Sequence, residues 1–316
     1  MEFDLIARIR ARAPTRHDVV LGIGDDAALL QVPEGRQLVV AMDTLNSGVH
    51  FPEGTAPVDI GWKSLAVNLS DLAAMGARPA WCTLSLSLPE ADAAWIDGFL
   101  DGFLALAKEF DVALVGGDTT RGPLSVCVTA HGLVEPARAL RRDGARVGDD
   151  VWVTGTLGDA AAALALLQRG EAVADALRVR LDRPVPRVAA GQALAGIAHA
   201  CIDVSDGLLA DLGHVCAASG VGAAVQVDRL PASPALSDMG VDDALRRQWQ
   251  ASGGDDYELC FSAAAASRHR IAQAMSDLQV SVRRIGSIVV GDGVDVLQAD
   301  GARWRPSRPG YRHFSD

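Results

Sequence analysis

Long apolar runs and paired cysteines are both missing from this 316-residue sequence. Charged or polar residues interrupt each apolar run before it reaches membrane-spanning length, so we expect no transmembrane segment. The first fourteen residues carry Glu2 and Asp4 and lack the apolar region and cleavage site of a signal peptide, which predicts a short amphipathic helix and a cytoplasmic protein. The five cysteines include no C-x-x-C pair, which favours structural thiols in a reducing compartment over a redox or zinc site.

Positive charge and aromatic side chains are also scarce. The formal net charge is −11, and Lys63 and Lys108 are the only lysines, which argues against general nucleic-acid binding because such binding needs a basic surface. An acidic protein that handles phosphate therefore needs local cations. Aromatic residues make up only 5% of the chain, so alanine, valine and leucine must fill most of the core, for which the 49% hydrophobic content is ample.

Strand and helix patterns alternate in both halves of the chain, which predicts α/β or α+β domains. The length predicts about two domains. A charged stretch rich in helix breakers, EPARALRRDGARVGDD, separates them, and we place the boundary near residue 138, giving domains 1–137 and 138–316. In the first half, strand follows strand often enough to predict antiparallel pairs.

Four local expectations bear on function. A helix predicted over residues 56–77 is closed by Gly76 and carries a narrow polar stripe of Ser64, Asn68 and Asp71. Within residues 36–45 we expect a strand that ends at Asp43. Residues 112–134 are expected to form two strands with a polar loop between them, and residues 178–187 a surface connection.

Aspartates near glycine or serine recur at predicted strand ends, and this distribution is the most informative feature of the sequence. Each alone is explained by a turn or a cap: Asp206 could cap the helix that begins near Gly207. Converging carboxylates would repel one another strongly without cations between them, and oxygen ligands with few histidines or cysteines suit Mg²⁺. A solvated acidic rim is the alternative. The aspartates at strand ends are Asp25, Asp26, Asp43, Asp118, Asp203, Asp206, Asp255 and Asp256, and Asp71 joins them from the polar stripe of the predicted helix.

Motifs for phosphate binding by a lysine loop and for nucleophilic catalysis do not occur. No G-x-x-x-x-G-K-[ST] is present, and an ordinary tight turn explains the glycines of VTGTLGDA before a helix as well as an anion site does. There is no nucleophile elbow, and the seven histidines lack metal-ligand spacing. His50 differs only because it follows Asp43 by seven residues. Phosphate charge must therefore be handled by metals and arginines.

Six ordered motifs, spread from about residue 3 to Tyr311, resemble the thiamine-monophosphate kinase family of the aminoimidazole-ribonucleotide-synthetase-like superfamily. They are GIGDDAALL, DTLNSGVHF, KSLAVNLSDLAAMGARP, GGDTTRGPLS, DVSDGLLADLGH and SGGDDYELCF. The resemblance implies a two-domain fold, with an N-terminal ATP- and Mg²⁺-binding domain whose mixed sheet pairs across a homodimer, and a C-terminal α/β domain. It implies transfer of the γ-phosphoryl group of ATP to thiamine monophosphate, with ATP and several Mg²⁺ in a cleft between the domains.

The resemblance also implies site residues. The implied magnesium ligands are Asp26, Asp43, Asp71, Asp118, Asp203 and Asp206. The implied nucleotide contacts are Gly117, Asp118, Arg142 and Ser205, and the implied thiamine contacts are His50, Asp256 and Tyr311. The family commonly has Ser-Thr before the aspartate of its Asp-Thr motif, where this chain has Ala41 and Met42. Neither supplies a hydroxyl, so Met42 is included as a metal ligand only through its backbone carbonyl.

The chemistry of such an acceptor agrees with the absence of a nucleophile motif. A phosphate acceptor is already deprotonated at neutral pH, so transfer needs positioning and charge neutralisation, and no separate catalytic base is expected. Two other function classes stay open. One is a different acceptor in the same superfamily, as in aminoimidazole ribonucleotide or selenophosphate synthesis, although relatives of the latter have a reactive cysteine near the N-terminus and the first here is Cys82. The other is a cation-binding scaffold without turnover.

Overall fold

A computed structural model of the chain describes residues 2–308, 310 and 311, with side chains from Asp4 onward. The chain divides into two compact units, Met1–Leu72 with Ala77–Ala137, and Ala73–Gly76 with Arg138–Asp316. Within the described residues, every helix is too short or too polar to cross a membrane.

The first unit is built on a four-stranded sheet. Its helices are α1 (Glu2–Arg12), α2 (Pro57–Ala74) and α3 (Ala93–Glu109). Its strands are β1 (Val19–Leu21), β2 (Leu29–Leu30), β3 (Gln37–Asn46), β4 (Arg78–Leu88), β5 (Ala113–Arg121) and β6 (Ser125–Val134). β1 and β2 form an antiparallel pair, and the sheet has the order β3-β6-β4-β5, in which β4 and β5 are parallel and the other pairs antiparallel.

Helices α2 and α3 touch at two glycines. A Cβ atom at Gly61 would lie 2.0 Å from the carbonyl oxygen of Phe99, and one at Gly102 would lie 1.8 Å from that of Val58. Any side chain at either position would hold the helices apart. The structure confirms the helix predicted over 56–77: the residues at helical spacing are buried, and Gly76, at φ +66°, follows its last turn.

The second unit is built on a six-stranded sheet. Its helices are α4 (Asp159–Gln168), α5 (Asp175–Asp182), α6 (Val188–Leu194), α7 (Leu208–Ser219), α8 (Pro234–Ser237), α9 (Asp243–Ser252) and α10 (Arg268–Asp277). Its strands are β7 (Asp150–Thr154), β8 (Ala200–Asp203), β9 (Gly222–Gln226), β10 (Leu259–Ala263), β11 (Val282–Val289) and β12 (Val294–Leu297). The order is β12-β9-β11-β7-β10-β8.

This second sheet corrects the expectation of an α/β domain. Strands alternate with helices along the chain, but β10 lies between β7 and β8 and runs antiparallel to both. Among the described ladders of this second sheet, only the β12–β9 pair is parallel. The sheet is therefore mixed and largely antiparallel, because alternation along the sequence does not fix which strands become neighbours.

Three local predictions were wrong. β3 continues to Asn46, so Asp43 lies inside the strand. The stretch GGDTTR, predicted as a polar loop, belongs to β5, because pairing with β4 extends through it. Residues 178–182 belong to α5, where Leu177 and Leu181, four residues apart, are both buried. Strand pairing for β3 and β5, and burial of apolar side chains for α5, outweighed a local composition typical of loops.

Candidate active site

Asp25 and Asp26 lie in the turn that joins β1 to β2. Both side chains are exposed, and the Asp26 amide donates a hydrogen bond to Asp25 Oδ1 at 2.8 Å. Gly24, just before them, has φ +127°, a conformation that residues with a side chain rarely adopt. Asp25 is therefore a turn residue, which is the explanation that the sequence allowed for each aspartate taken alone. Asp26 stays a candidate metal ligand.

Asp43 is held against α2 by the polar stripe of that helix. Its backbone amide donates to Oδ1 of the buried Asn68 at 2.9 Å, and Asn68 Nδ2 donates to the Ser64 carbonyl at 2.9 Å. Because β3 is at the edge of the sheet, the helix supplies the acceptor for this amide. Asp71 lies one turn beyond Asn68 on the same face of α2.

Met42 presents its side chain to the opposite face of β3, where it is 64% exposed. A thioether is a poor ligand for a hard cation. Only the backbone carbonyl of Met42 is therefore a candidate ligand.

Gly117 and Asp118 lie in β5, at the other edge of the same sheet. A Cβ atom at Gly117 would lie 1.8 Å from the Leu84 carbonyl oxygen, so this position accepts only glycine. The Asp118 side chain is exposed, and its Oδ1 accepts the Thr119 amide at 2.9 Å. Three strand spacings, about 14 Å, separate β3 from β5. The structure therefore does not place Asp118 beside Asp43.

His50 is fixed in a turn that follows β3. Its Nδ1 accepts the Asn46 amide at 3.0 Å, so a neutral ring carries its proton on Nε2. The His50 carbonyl accepts a hydrogen bond from Nζ of Lys63 at 2.9 Å, and Lys63 is 2% exposed. A buried ammonium group on α2 thus orients the turn that carries His50.

The loop Asp203–Gly207 joins β8 to α7 and is organised by Asp211. One carboxylate oxygen of Asp211 accepts the amides of Ser205, Asp206 and Gly207, each at 3.1 Å. Burial, together with the charges of Asp203 and Asp206, raises the pKa of Asp211 to about 7. Asp206 does not cap α7, whose N-cap is Gly207. Three carboxylates therefore gather at the start of this helix.

Tyr311 lies next to this loop. Its amide donates to the Asp206 carbonyl at 3.0 Å, and both residues line a cavity of about 810 Å³ between α7, β12 and the chain that follows β12. Trp304 and His214 contribute to the same wall. The second unit thus brings Asp206 and Tyr311 together beside a space large enough for a small molecule.

Asp256 is buried in the segment before β10. Both carboxylate oxygens accept the Gly158 amide at the start of α4, at 2.9 and 3.1 Å. Burial raises the pKa of Asp256 well above its usual range, and the positive charge of Arg180 opposes this only in part. The structure therefore gives Asp256 a role in joining its loop to α4, whereas the neighbouring Asp255 is half-buried.

Arg142 is exposed, and its backbone carbonyl accepts the Ser219 hydroxyl at 2.9 Å. Across the described residues, no three acidic, histidine or cysteine side chains are close enough to hold a metal ion by themselves. Among the predicted carboxylates, Asp203 and Asp206 both lie close to Asp211.

Three residues that orient the site were not identified as functional from the sequence: Asn68, Lys63 and Asp211. Asn68 was recognised only as part of a polar stripe, and Asp211 only as part of a motif. Lys63 carried one usable signal, since it is one of two lysines and lies in a helix predicted to be apolar. A buried charge in such a helix needs polar partners.

Residues 24–134 match the family model described as AIR synthase related protein, N-terminal domain, and residues 146–297 match the model for its C-terminal domain. The chain is 48% identical to the thiamine-monophosphate kinase of Salmonella typhimurium over 99% of this chain and 98% of that one.

Two solved structures extend the similarity to the fold. A thiamine-monophosphate kinase from Stenotrophomonas maltophilia K279a is 59% identical with a TM-score of 0.88, covering 95% of this chain and 96% of that one. AaThiL, complexed with AMPPCP and TMP, is 32% identical with a TM-score of 0.78, covering 99% and 96%. The resemblance seen in the six motifs, and the two-domain architecture it implies, are thereby confirmed.

Proposed function

The chain belongs to the thiamine-monophosphate kinase family and is therefore a thiamine-phosphate kinase, for which we propose direct in-line transfer of the γ-phosphoryl group of ATP to thiamine monophosphate. The observation that carries the proposal is the similarity to such kinases over almost the whole chain. A relative that was solved with AMPPCP and TMP together supports simultaneous binding of both substrates here. Because ATP is a cytoplasmic substrate, we expect the reaction in the cytoplasm.

The reaction needs no general base and no phosphoenzyme. The attacking oxygen belongs to a phosphate that is already deprotonated at neutral pH, so the protein's task is to align two polyanions and offset their charge. Cys82, the first thiol in the chain, is fully buried in β4, and burial raises the pKa of its thiol. This environment is the opposite of the one that a reactive cysteine for selenophosphate synthesis would need.

We assign magnesium binding to Asp26, Asp43, Asp71, Asp118, Asp203 and Asp206, with the backbone carbonyl of Met42 as a further ligand. The donors are all oxygens, as Mg²⁺ requires, and one or two carboxylates per ion suffice because phosphates and water complete its shell. Asp203 is 4% exposed and lies beside Asp206 and Asp211, an accumulation of negative charge that a cation would relieve. When bound, magnesium neutralises charge on the transferring phosphoryl group.

We assign ATP contacts to Gly117, Asp118, Arg142 and Ser205. At Gly117 the exposed backbone has no side chain to block a ligand. Arg142 supplies an exposed guanidinium group for phosphate oxygens. Ser205 lies in the loop whose amides Asp211 orients.

We assign thiamine monophosphate contacts to His50, Tyr311 and Asp256. The fixed tautomer of His50 makes Nε2 a hydrogen-bond donor for phosphate oxygens. Tyr311, 47% exposed beside the cavity, offers a ring face for the heteroaromatic part of the substrate. Asp256 contributes by fixing the loop before β10 and by contact with the substrate.

We further propose that two copies pair through the first unit. The side chains of Leu38, Val40 and Met42 alternate along edge strand β3 and are exposed by 44%, 56% and 64%. An apolar row on a long edge strand favours pairing with another chain, since a monomer normally protects such an edge. The proposed partner is a second copy of this chain.

Formation of thiamine diphosphate from ATP, Mg²⁺ and thiamine monophosphate tests the function, and His50→Ala tests the substrate assignment. We expect the wild-type enzyme to make thiamine diphosphate with ADP in equal amount. We expect His50→Ala to raise KM for thiamine monophosphate far more than KM for ATP. An enzyme that ignores thiamine monophosphate and phosphorylates another acceptor would overturn the function, and equal losses for both substrates would overturn the role of His50.

A further inference from the structure

A buried ion cluster lies in the second unit, outside the residues assigned to ligands. Its centre is Glu258, which is fully buried directly before β10. Arg187 donates to its carboxylate from Nε and Nη2, both at 2.6 Å, and Arg180 donates from Nη2 at 2.8 Å. The Thr154 hydroxyl donates at 2.8 Å and accepts the Leu259 amide.

The cluster keeps Glu258 ionised. Burial alone would raise the pKa of Glu258, but the hydrogen bonds from Arg187 and the charges of both arginines outweigh it, and the pKa is lowered. A buried ion pair contributes little net stability compared with well-packed apolar side chains. A bidentate Arg–carboxylate pair does, however, fix geometry. The cluster is therefore better explained by what it orients than by what it adds to stability.

A glycine next to the cluster leaves room for the Glu258 carboxylate. A Cβ atom at Gly155 would lie 2.0 Å from Glu258 Oε1, and Gly155 has φ +60°. Glu258 thus connects the end of β7, helix α5, the start of α6 and the start of β10 through a single carboxylate.

What the cluster holds is the loop 253–257. Arg180 Nη2 also lies 3.5 Å from the Asp256 carbonyl oxygen. Asp255 and Tyr257 have φ +66° and +49°, in the left-handed region that side chains disfavour, so the surrounding structure must hold them there. Their amides donate to the carbonyls of Ser205 and Val204 at 2.9 and 2.8 Å, which joins this loop to the one that carries Asp203 and Asp206.

We propose that Glu258 and Arg187 are positioning residues for phosphoryl transfer: their buried pair holds loop 253–257 in the geometry that receives thiamine monophosphate and, less directly, supports the Ser205 loop that we assign to ATP. Neither residue touches substrate. The proposal rests on the proposed function for the link to catalysis, because the roles of Asp256 and Ser205 come from there. The geometric part does not depend on it.

The test replaces the pair as a unit. Arg187→Met with Glu258→Gln removes both charges of the pair and leaves Arg180 with Asp159 as its ion partner at 3.8 Å, so we expect a melting temperature within about 5 °C of wild type. We expect KM for thiamine monophosphate to rise about tenfold or more, with KM for ATP changing less than threefold. The matched control is Arg178→Met with Asp182→Asn, which removes an ion pair within the same helix α5. It should leave both KM values unchanged.

Two further measurements test whether the Arg187–Glu258 pair positions loop 253–257. Arg187→Lys preserves the charge and loses the bidentate geometry, so it should fold and raise KM for thiamine monophosphate by an intermediate factor. Hydrogen exchange of the Asp255 and Tyr257 amides should accelerate at least tenfold in the double variant, whether or not the wild type is active. An unchanged KM in folded variants, or unchanged exchange at these amides, would overturn the proposal. Failure of the wild type to make thiamine diphosphate would instead overturn the function, and the exchange result would still decide the positioning role.

Discussion

At the scale of single residues, the site depends on buried polar side chains that bind backbone groups. Asn68 accepts the Asp43 amide, Lys63 donates to the His50 carbonyl, and Asp211 accepts three consecutive amides of the β8–α7 loop. Each fixes the direction of a neighbouring residue that we assign to a ligand. Such residues keep ligand groups in place before substrate arrives, which lowers the cost of ordering them during the reaction.

Asp118→Asn tests the magnesium assignment at this scale. The substitution keeps the side-chain size and removes the charge, and we expect turnover to fall by about 10², as loss of one charge-stabilising group commonly does. Steady-state kinetics over a range of magnesium concentrations measure the effect. Asp238→Asn, at an exposed aspartate of the second unit, is the control. Near-normal turnover of folded Asp118→Asn protein would remove Asp118 from the metal site.

At the scale of elements, helices α2 and α3 of the first unit approach each other so closely at Gly61 and Gly102 that neither position has room for a side chain. Gly61→Ala and Gly102→Ala should each lower the free energy of unfolding by about 1–3 kcal/mol, because the new methyl group forces backbone apart. Gly213→Ala, in α7 with nothing within 4 Å, should instead raise it by about 0.5–1 kcal/mol. Urea denaturation measures all three. Wild-type stability in Gly61→Ala would contradict the contact.

Elements could be predicted from the sequence where local pattern and tertiary environment agree. Apolar spacing and a terminal glycine were enough for α2. Spacing could not give β5, because Gly116–Thr120 are extended only through pairing with β4. The prolines that follow α5 likewise led the end of this helix to be predicted as part of a surface connection.

The candidate site divides in the same way. The six motifs contain most of the residues assigned to ligands, because each of these residues lies within a short recognisable stretch of sequence. They could not give Glu258 a role, because its partners lie 71 to 104 positions away along the chain. For Asp211, whose partners are only four to six positions away, the fold of the loop had to be known.

At the scale of the whole molecule, the proposed pairing of two copies depends on the exposed face of β3. Leu38→Asp with Val40→Asp places two charges on that face and should convert a dimer into a monomer of 33.0 kDa, since like charges meet across a two-fold interface. Light scattering after size-exclusion chromatography measures the mass. Val290→Asp, at a side chain that is 85% exposed in the second unit, is the control and should leave the dimer intact. A monomeric wild type at micromolar concentration would refute the pairing.

Strand order in the second sheet has a consequence for how the enzyme is made. β7 pairs with β10 on one side and β11 on the other, and both follow it by a hundred residues or more. At ribosomal speeds of about 5–20 residues per second, a newly translated β7 waits for about 5–20 s with both hydrogen-bonding edges open. Val151 and Val153, fully buried once the sheet closes, are uncovered during that interval. Chaperones at the ribosome can therefore bind nascent β7. The time needed to translate residues 155–258 sets how long the strand stays exposed to them.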